Sequence, residues 1–176
     1  MPVEKLVFVD ESHASTAMAR LRGWGPRGQR VIGSVPQGRY KIQTMLAGIR
    51  LTGPVAPLVF DGAVNGEVYC AWVEQFLVPE LRPGDVVVAD NLSSHKNAKA
   101  KEMIEAAGCR VLFLPPYSPD FNPIEEMWSK VKAYLRDAEA RTIPALFDAI
   151  RDALSLVTLS DCLGFFGNSG YRKIHT

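Results

Sequence analysis

Cysteine is scarce in this sequence, and the three that occur, Cys70, Cys109 and Cys162, are far apart and set in apolar surroundings. Their odd number and wide spacing argue against a disulfide framework or a redox pair and predict buried thiols in a reducing compartment. Histidine is equally sparse. His13, His95 and His175 show no ligand spacing with cysteine, which disfavours a zinc centre. No apolar run approaches bilayer-spanning length, and the charged-then-apolar layout of a secretory signal is missing, so the expected location is the cytoplasm, with no membrane partner. A charge excess is missing too: 20 Lys and Arg against 19 Asp and Glu leave any basic surface to be local. Repeats and low-complexity tracts are absent. What remains is a chain of 176 residues, 47% of them hydrophobic, which suits one domain spanning 1–176 with a sizeable core.

Short elements follow one another along that domain. LVFVD, residues 6–10, reads as a buried strand, and a loop rich in Arg and Gly comes after it. Stretches near residues 31–35, 42–50 and 55–60, broken by Pro and Gly, read as an antiparallel meander. Val68, Tyr69, Trp72, Val73, Phe76 and Leu77 recur at helical spacing over 67–78, and VVVAD, residues 86–90, is the next buried strand. A helix over 97–107 stopped by Gly108, then RVLFL at 110–114, complete a strand, helix, strand unit that should be parallel with a right-handed crossover. Two helices, about 123–136 and 143–157, close the chain. The expected fold is α/β, a mixed sheet covered by helices.

Three carboxylates stand out in this arrangement. Asp10 and Asp90 each end an otherwise apolar strand, and neighbouring strands would bring both to one sheet edge, where ligand sites of α/β folds tend to lie. Either aspartate alone is as well read as a turn or capping residue. The third is Glu125, in LPPYSPDFNPIEEMW. Asn122 is a good N-cap, Pro123 suits the first helical position, and Glu125 stands where a capping box would place a glutamate. Ile124, Met127, Trp128, Val131 and Leu135 form the apolar stripe of that helix, and Glu126 has Lys130 one turn on as a solvent-side partner. Glu125 therefore has the weaker structural explanation of the two glutamates. The prolines hold the helix start, and Glu125 with it, near the strand ends.

Three convergent carboxylates repel one another unless a cation sits among them. Mg²⁺ prefers oxygen ligands, keeps waters and completes its shell with phosphate oxygens. Two such ions can stabilise both the attacking and the leaving oxygen of an in-line phosphoryl displacement.

VFVDES, VVVADNLSSH and LPPYSPDFNPIEEMWSKVK resemble the three catalytic segments of DDE transposases of the mariner superfamily, most closely its bacterial insertion-sequence branch. The 34 residues between Asp90 and Glu125 are similar to the spacing of that superfamily, and WGPRGQR, residues 24–30, resembles the segment after its first aspartate. The resemblance implies a ribonuclease-H-like fold with a five-stranded mixed sheet, three strands antiparallel and two parallel. It implies Asp10, Asp90 and Glu125 as catalytic ligands of two Mg²⁺ ions, with Mn²⁺ able to substitute. The implied activity is cleavage of double-stranded DNA at the ends of a mobile element and joining of the freed 3′-hydroxyl to target DNA, with a TA preference. It places the protein in the bacterial cytoplasm, at the nucleoid when bound to DNA.

Members of that superfamily usually carry helix-turn-helix modules before the first catalytic strand, which here begins at about residue 6. The N-terminal module is thus expected to be absent, as in the second product of a split reading frame, a truncated remnant or an excised catalytic domain; a separate helix-turn-helix protein from an upstream frame and a homodimer are partners to consider. A non-catalytic DNA-binding or regulatory remnant, and another nuclease on the same fold, stand as alternatives.

Two further groups of residues point to DNA. Asn91 and His95 flank the second aspartate and suit either contact with the scissile phosphate or its water, or a cap on the next helix. Arg20, Arg22, Arg27 and Arg30 surround Trp24 in a Gly-rich loop, which suits phosphate contacts with one stacking aromatic or a merely solvated loop. Lys96, Lys99, Lys101, Lys130 and Lys132 form a basic rim or a set of solvated lysines.

Overall fold

The computed structural model describes residues 2–116 and 118–171; His175 and Tyr117 of the PPYSP segment lie outside the described residues. Five strands form one sheet in the order β3-β2-β1-β4-β5, with β1 (Leu6–Ser15) in the middle. β2 (Ile42–Arg50) and β3 (Gly53–Phe60) continue from it antiparallel, whereas β4 (Val86–Ala89) and β5 (Arg110–Phe113) pair parallel on its other side. The expected mixed sheet is therefore present, three strands antiparallel and two parallel.

Strand alternation sorts the core onto two faces. Leu6, Phe8, Val86 and Val88 pack with α4 (Pro123–Ala138), α5 (Ile143–Ser155) and α6 (Leu159–Asn168). Val7, Val9, Val87 and Ala89 pack with α1 (Gly66–Trp72) and α3 (Ala98–Ala106) on the other side. The α4 stripe is buried as its spacing predicts: Ile124, Met127, Trp128, Val131 and Leu135 all lie in the core. Each such side chain contributes roughly 1.5–3 kcal/mol of burial, which presses α4 onto the sheet and fixes where its first turn stands.

α1 runs on through a π-helical turn (Val73–Leu77) into α2 (Val78–Glu80). Pro79 has no N–H to give to Gln75, so the regular ladder is broken here and a wider turn fits. The wider turn shifts the apolar stripe, and Phe76, expected inside, is partly exposed. α3 stops at Gly108, whose φ of +76° is the left-handed conformation its position requires.

Four expectations are corrected. Residues 31–35 form no strand; they belong to an exposed loop running from Ala17 to Tyr40. Val31, Ile32 and Val35 supply β-branched residues, but Gly33, Pro36 and Gly38 leave no continuous edge to pair. The first strand does not end at Asp10 but continues to Ser15 against β2. A sixth helix, Leu159–Asn168, was not expected; Thr158 and Asp161 cap it reciprocally, and Cys162 and Phe166 bury one face. Because α6 packs there, Lys130 pairs with Asp161 rather than Glu126, and Glu126 accepts from Asn168 Nδ2 at 3.0 Å.

At the opposite edge of the sheet from Asp10, Arg50 and Asp85 form a buried ion pair of 3.1 Å. Arg50 Nη2 also donates to the Glu80 carbonyl at 2.9 Å, and the Arg82 N–H donates to Asp85 at 2.8 Å. β4 is thus anchored by Asp85 at its entry and followed by Asp90 at its exit.

Candidate active site

The parallel register sets the site. Val9 pairs with Ala89 at the end of the β1–β4 ladder, so Asp10 and Asp90 follow at the same level on adjacent strands. Asp10 shares the face of Leu6 and Phe8, the face α4 covers. Glu125, in the first turn of α4, completes the group from above. It borders a cleft of about 410 Å³ with Asp90, Asn91, Asn122 and the proline segment that leads into α4.

The electrostatics record this convergence. Asp10 is buried, and its carboxyl is pushed up to about 7, first by burial and then by the charges of Glu11, Glu125 and Asp90; the Glu11 N–H, 2.8 Å from Oδ1, opposes the shift. Asp90 is moved the other way. Burial raises it, but hydrogen bonds from His95 and the Leu92 N–H, with the charge of His95, hold it below the ordinary carboxylate value. Among the described residues, no three His, Cys, Asp or Glu side chains already stand where one ion could be held. The carboxylates feel one another's charge without closing on a point.

His95 lies beneath the site, not on a DNA-facing surface. Its ring is fully buried, with Nδ1 2.5 Å from Asp90 Oδ1 and Nε2 2.9 Å from Glu11 Oε2. Burial lowers its pKa, but the two carboxylates override this and raise it to about 9. Both nitrogens donate, which is the doubly protonated ring. Tyr69 packs against that ring at 4.7 Å between centroids, and burial with the charges of Glu11 and Asp90 pushes its phenol upward.

Asn122 also departs from its expected role. It precedes α4, but its side chain makes no capping bond, so the capping box that would have explained Glu125 does not form. Its Oδ1 is buried and has no hydrogen-bond partner among the described residues.

The outlying basic residues are not gathered at the carboxylates. Arg22, Trp24, Arg27 and Arg30 lie on the exposed loop, with Trp24 99% exposed. Arg20 is held by Asp137 at 2.9 Å, twelve residues along α4 from Glu125, or about 18 Å at the helical rise. The base of the loop thus flanks the far end of α4. Asn91 lines the cleft and is half-buried, and Lys96 is exposed. Lys101 pairs with Glu105 at 3.7 Å, Lys130 with Asp161, and Lys99 and Lys132 retain some exposure. Glu11 was missed by sequence reasoning. Alternation along β1 could have found it, since it follows Asp10 and must emerge on the opposite face.

A central β1 with β2 and β3 antiparallel on one side, β4 and β5 parallel on the other, and carboxylates at its edge defines a ribonuclease-H-like fold. Residues 5–146 match the sequence profile described as DDE superfamily endonuclease, and the chain belongs to that family. The Transposable element Tcb2 transposase of Caenorhabditis briggsae is 31% identical over 71 residues, 40% of this chain and 26% of that protein. The Mos1 transposase paired-end complex with the left transposon end superposes with a TM-score of 0.72 at 17% identity, over 96% of this chain and 52% of that one. The catalytic domain of Mos1 mariner transposase gives 0.65 at 14% identity, covering 94% and 76%. The Mos1 paired-end complex has also been solved with Mn and with Mg. This chain therefore spans about half of the transposase in the paired-end complex and about a quarter of the Tcb2 protein.

Proposed function

We propose that the chain is the catalytic domain of a DNA transposase, one that cleaves double-stranded DNA at element ends and joins the freed 3′-hydroxyl to target DNA at TA. The observation that carries this reading is the placement of Asp10 and Asp90 side by side just past the end of the β1–β4 ladder, with Glu125, in the first turn of α4, near enough for its charge to raise Asp10. The donor set fits hard divalent cations: it is all oxygen, burial and mutual repulsion raise Asp10 to about 7, and the buried Asn122 Oδ1 lacks a partner among the described residues. Asp10, Asp90 and Glu125 would hold two Mg²⁺ or Mn²⁺ ions, which when bound stabilise charge on the attacking and leaving oxygens of an in-line displacement.

The other residues of the chain bind and orient. Asn91, which lines the cleft, and Lys96, exposed next to the buried His95, contact the phosphates next to the cut. Arg22, Arg27 and Arg30 hold flanking duplex with Trp24 as a stacking surface. These contacts are to backbone and carry no base code, so terminal-repeat recognition falls to a helix-turn-helix unit, and a homodimer would bring two ends together. The work is placed in the cytoplasm, at the nucleoid; no described helix is long and apolar enough to cross a membrane.

Incubation of the chain with a labelled duplex of its element end and Mn²⁺ tests the reading. Cleavage by the wild type and its loss in Asp10→Asn, Asp90→Asn and Glu125→Gln is expected. Cleavage that survives all three substitutions overturns the assignment, and a folded wild type that binds DNA without cutting it favours a regulatory remnant.

A further inference from the structure

The two oxygens of Asp90 are not equivalent. Oδ1 accepts from His95 Nδ1 at 2.5 Å and from the Leu92 N–H at 3.0 Å, while Oδ2 has no hydrogen bond among the described residues. His95 is itself fixed at its far side, 2.9 Å from Glu11 Oε2, and its fully buried ring lies against Tyr69. Glu11 leaves β1 one residue after Asp10, on the face of Val7 and Val9 rather than the face α4 covers. A continuous line of side chains therefore runs from the back of β1, under the sheet edge, to one oxygen of Asp90. His95 cannot serve as a general base or phosphate contact, because both nitrogens are engaged and the ring does not reach solvent.

We propose that Glu11 and His95 are positioning residues: Glu11 orients His95, and His95 occupies Asp90 Oδ1 so that Oδ2 is the oxygen left for the cleft shared with Glu125. The inference rests on the reading above that Asp90 is a metal ligand. Partners of this kind, one bond removed from a ligand, set its orientation, and their loss typically costs about 10–100-fold in metal affinity.

Two substitutions separate this role from packing. Asparagine places an amide nitrogen as many bonds from the backbone as Nδ1, and glutamine as many as Nε2. His95→Asn thus keeps the donor to Asp90, and His95→Gln keeps only the donor to Glu11. Mn²⁺ titration of the full chain by electron paramagnetic resonance should show His95→Gln weaker by about 10–100-fold and His95→Asn, which keeps the donor to Asp90 but loses the hold of Glu11, weaker by distinctly less. Glu11→Ala should weaken binding in the same direction. Thermal melts without metal establish which variants are folded. Equal losses in both His95 variants would assign the ring a packing role only and overturn the proposal, as would unchanged affinity in both.

A metal-free readout stands beside this one. The proton of so short a hydrogen bond, shielded from solvent, should resonate far downfield of the amides in the proton spectrum of the wild type and vanish in His95→Gln. Its absence from the wild type overturns the relay whatever the metal does. A wild type that shows the resonance but binds no Mn²⁺ would instead refute the metal reading and leave the relay standing.

Discussion

Asp10 and Asp90 each stand one residue beyond the Val9–Ala89 pair, so a single step of parallel register sets two carboxylates level on neighbouring strands. A one-residue slip of β4 against β1 would turn Asp90 to the opposite face. The register is held by Val86, Val87 and Val88 packing on both sides of the sheet, and by Asp85 at the strand's other end. The geometry of the site is thus a property of the core.

The adjacent glutamates at the start of α4 should behave differently. Glu125→Gln should abolish cleavage with little change in melting temperature, because no capping box depends on it. Glu126→Gln should leave cleavage near wild type, since that side chain faces Asn168. Cleavage assays paired with thermal melts check both; wild-type activity in Glu125→Gln would make it a surface residue.

Stability in chelator should fall as pH rises. Asp10 holds its proton more tightly folded than unfolded, so its contribution is full below 3.8 and lost as pH climbs through about 7. His95 works in the same direction, full below 6.5 and lost through about 9. Melting temperatures in a chelator should decline across that span, and Mn²⁺ should restore most at the alkaline end. A chelated protein that grows more stable over the same range would contradict the crowding of carboxylates around Asp10.

Removing one partner of the Arg50–Asp85 pair leaves the other charge buried, which typically costs about 3–5 kcal/mol. Arg50→Ala and Asp85→Ala should each lose about that much in urea unfolding, and Arg50→Met with Asp85→Leu should recover much of it. Additive losses in the double variant would mean that the two side chains do not stabilise each other.

Substitutions in the arginine loop should change DNA binding without changing its indifference to sequence. If the proposed phosphate contacts hold, Arg22→Ala, Arg27→Ala and Arg30→Ala should each reduce the magnitude of the salt slope by about 0.9. Arg20→Ala should leave the slope alone, because Arg20 is committed to Asp137. Fluorescence anisotropy at several salt concentrations measures both; equal slopes in all four single variants would remove the loop from the interface.

The three carboxylates were legible because each stands beside a strong local signal: two nearly pure apolar strands and a proline-braced helix start. The relay beneath them was not. Glu11 and His95 are 84 residues apart in sequence and meet only once β1 and β4 pair. Capping chemistry misled in both directions. Asn122 had the right residue type but turns its side chain elsewhere, whereas Thr158 and Asp161 form a capping box that the glycines of LSDCLGFFGN obscured. Val31, Ile32 and Val35 show that a cluster of β-branched residues is only a proposal for a strand when Gly33, Pro36 and Gly38 interrupt the backbone that would have to pair.

The exposed loop is clasped at its neck. The Thr16 N–H donates to the Lys41 carbonyl and the Lys41 N–H to Thr16 Oγ1, both at 3.0 Å, while Arg141 reaches the carbonyls of Thr16 and Met18 from just past the end of α4. The β1–β2 ladder is closed at that neck, and just beyond it Met18 packs on the core, Ala19 is buried and Arg20 is held by Asp137, so the free segment begins after Arg20. Because closure entropy grows only slowly with loop length, the segment beyond can be cut short, lengthened or exchanged with small effect on the sheet. The fold therefore carries a natural graft point, where new contacts can be tried without retuning the chemistry.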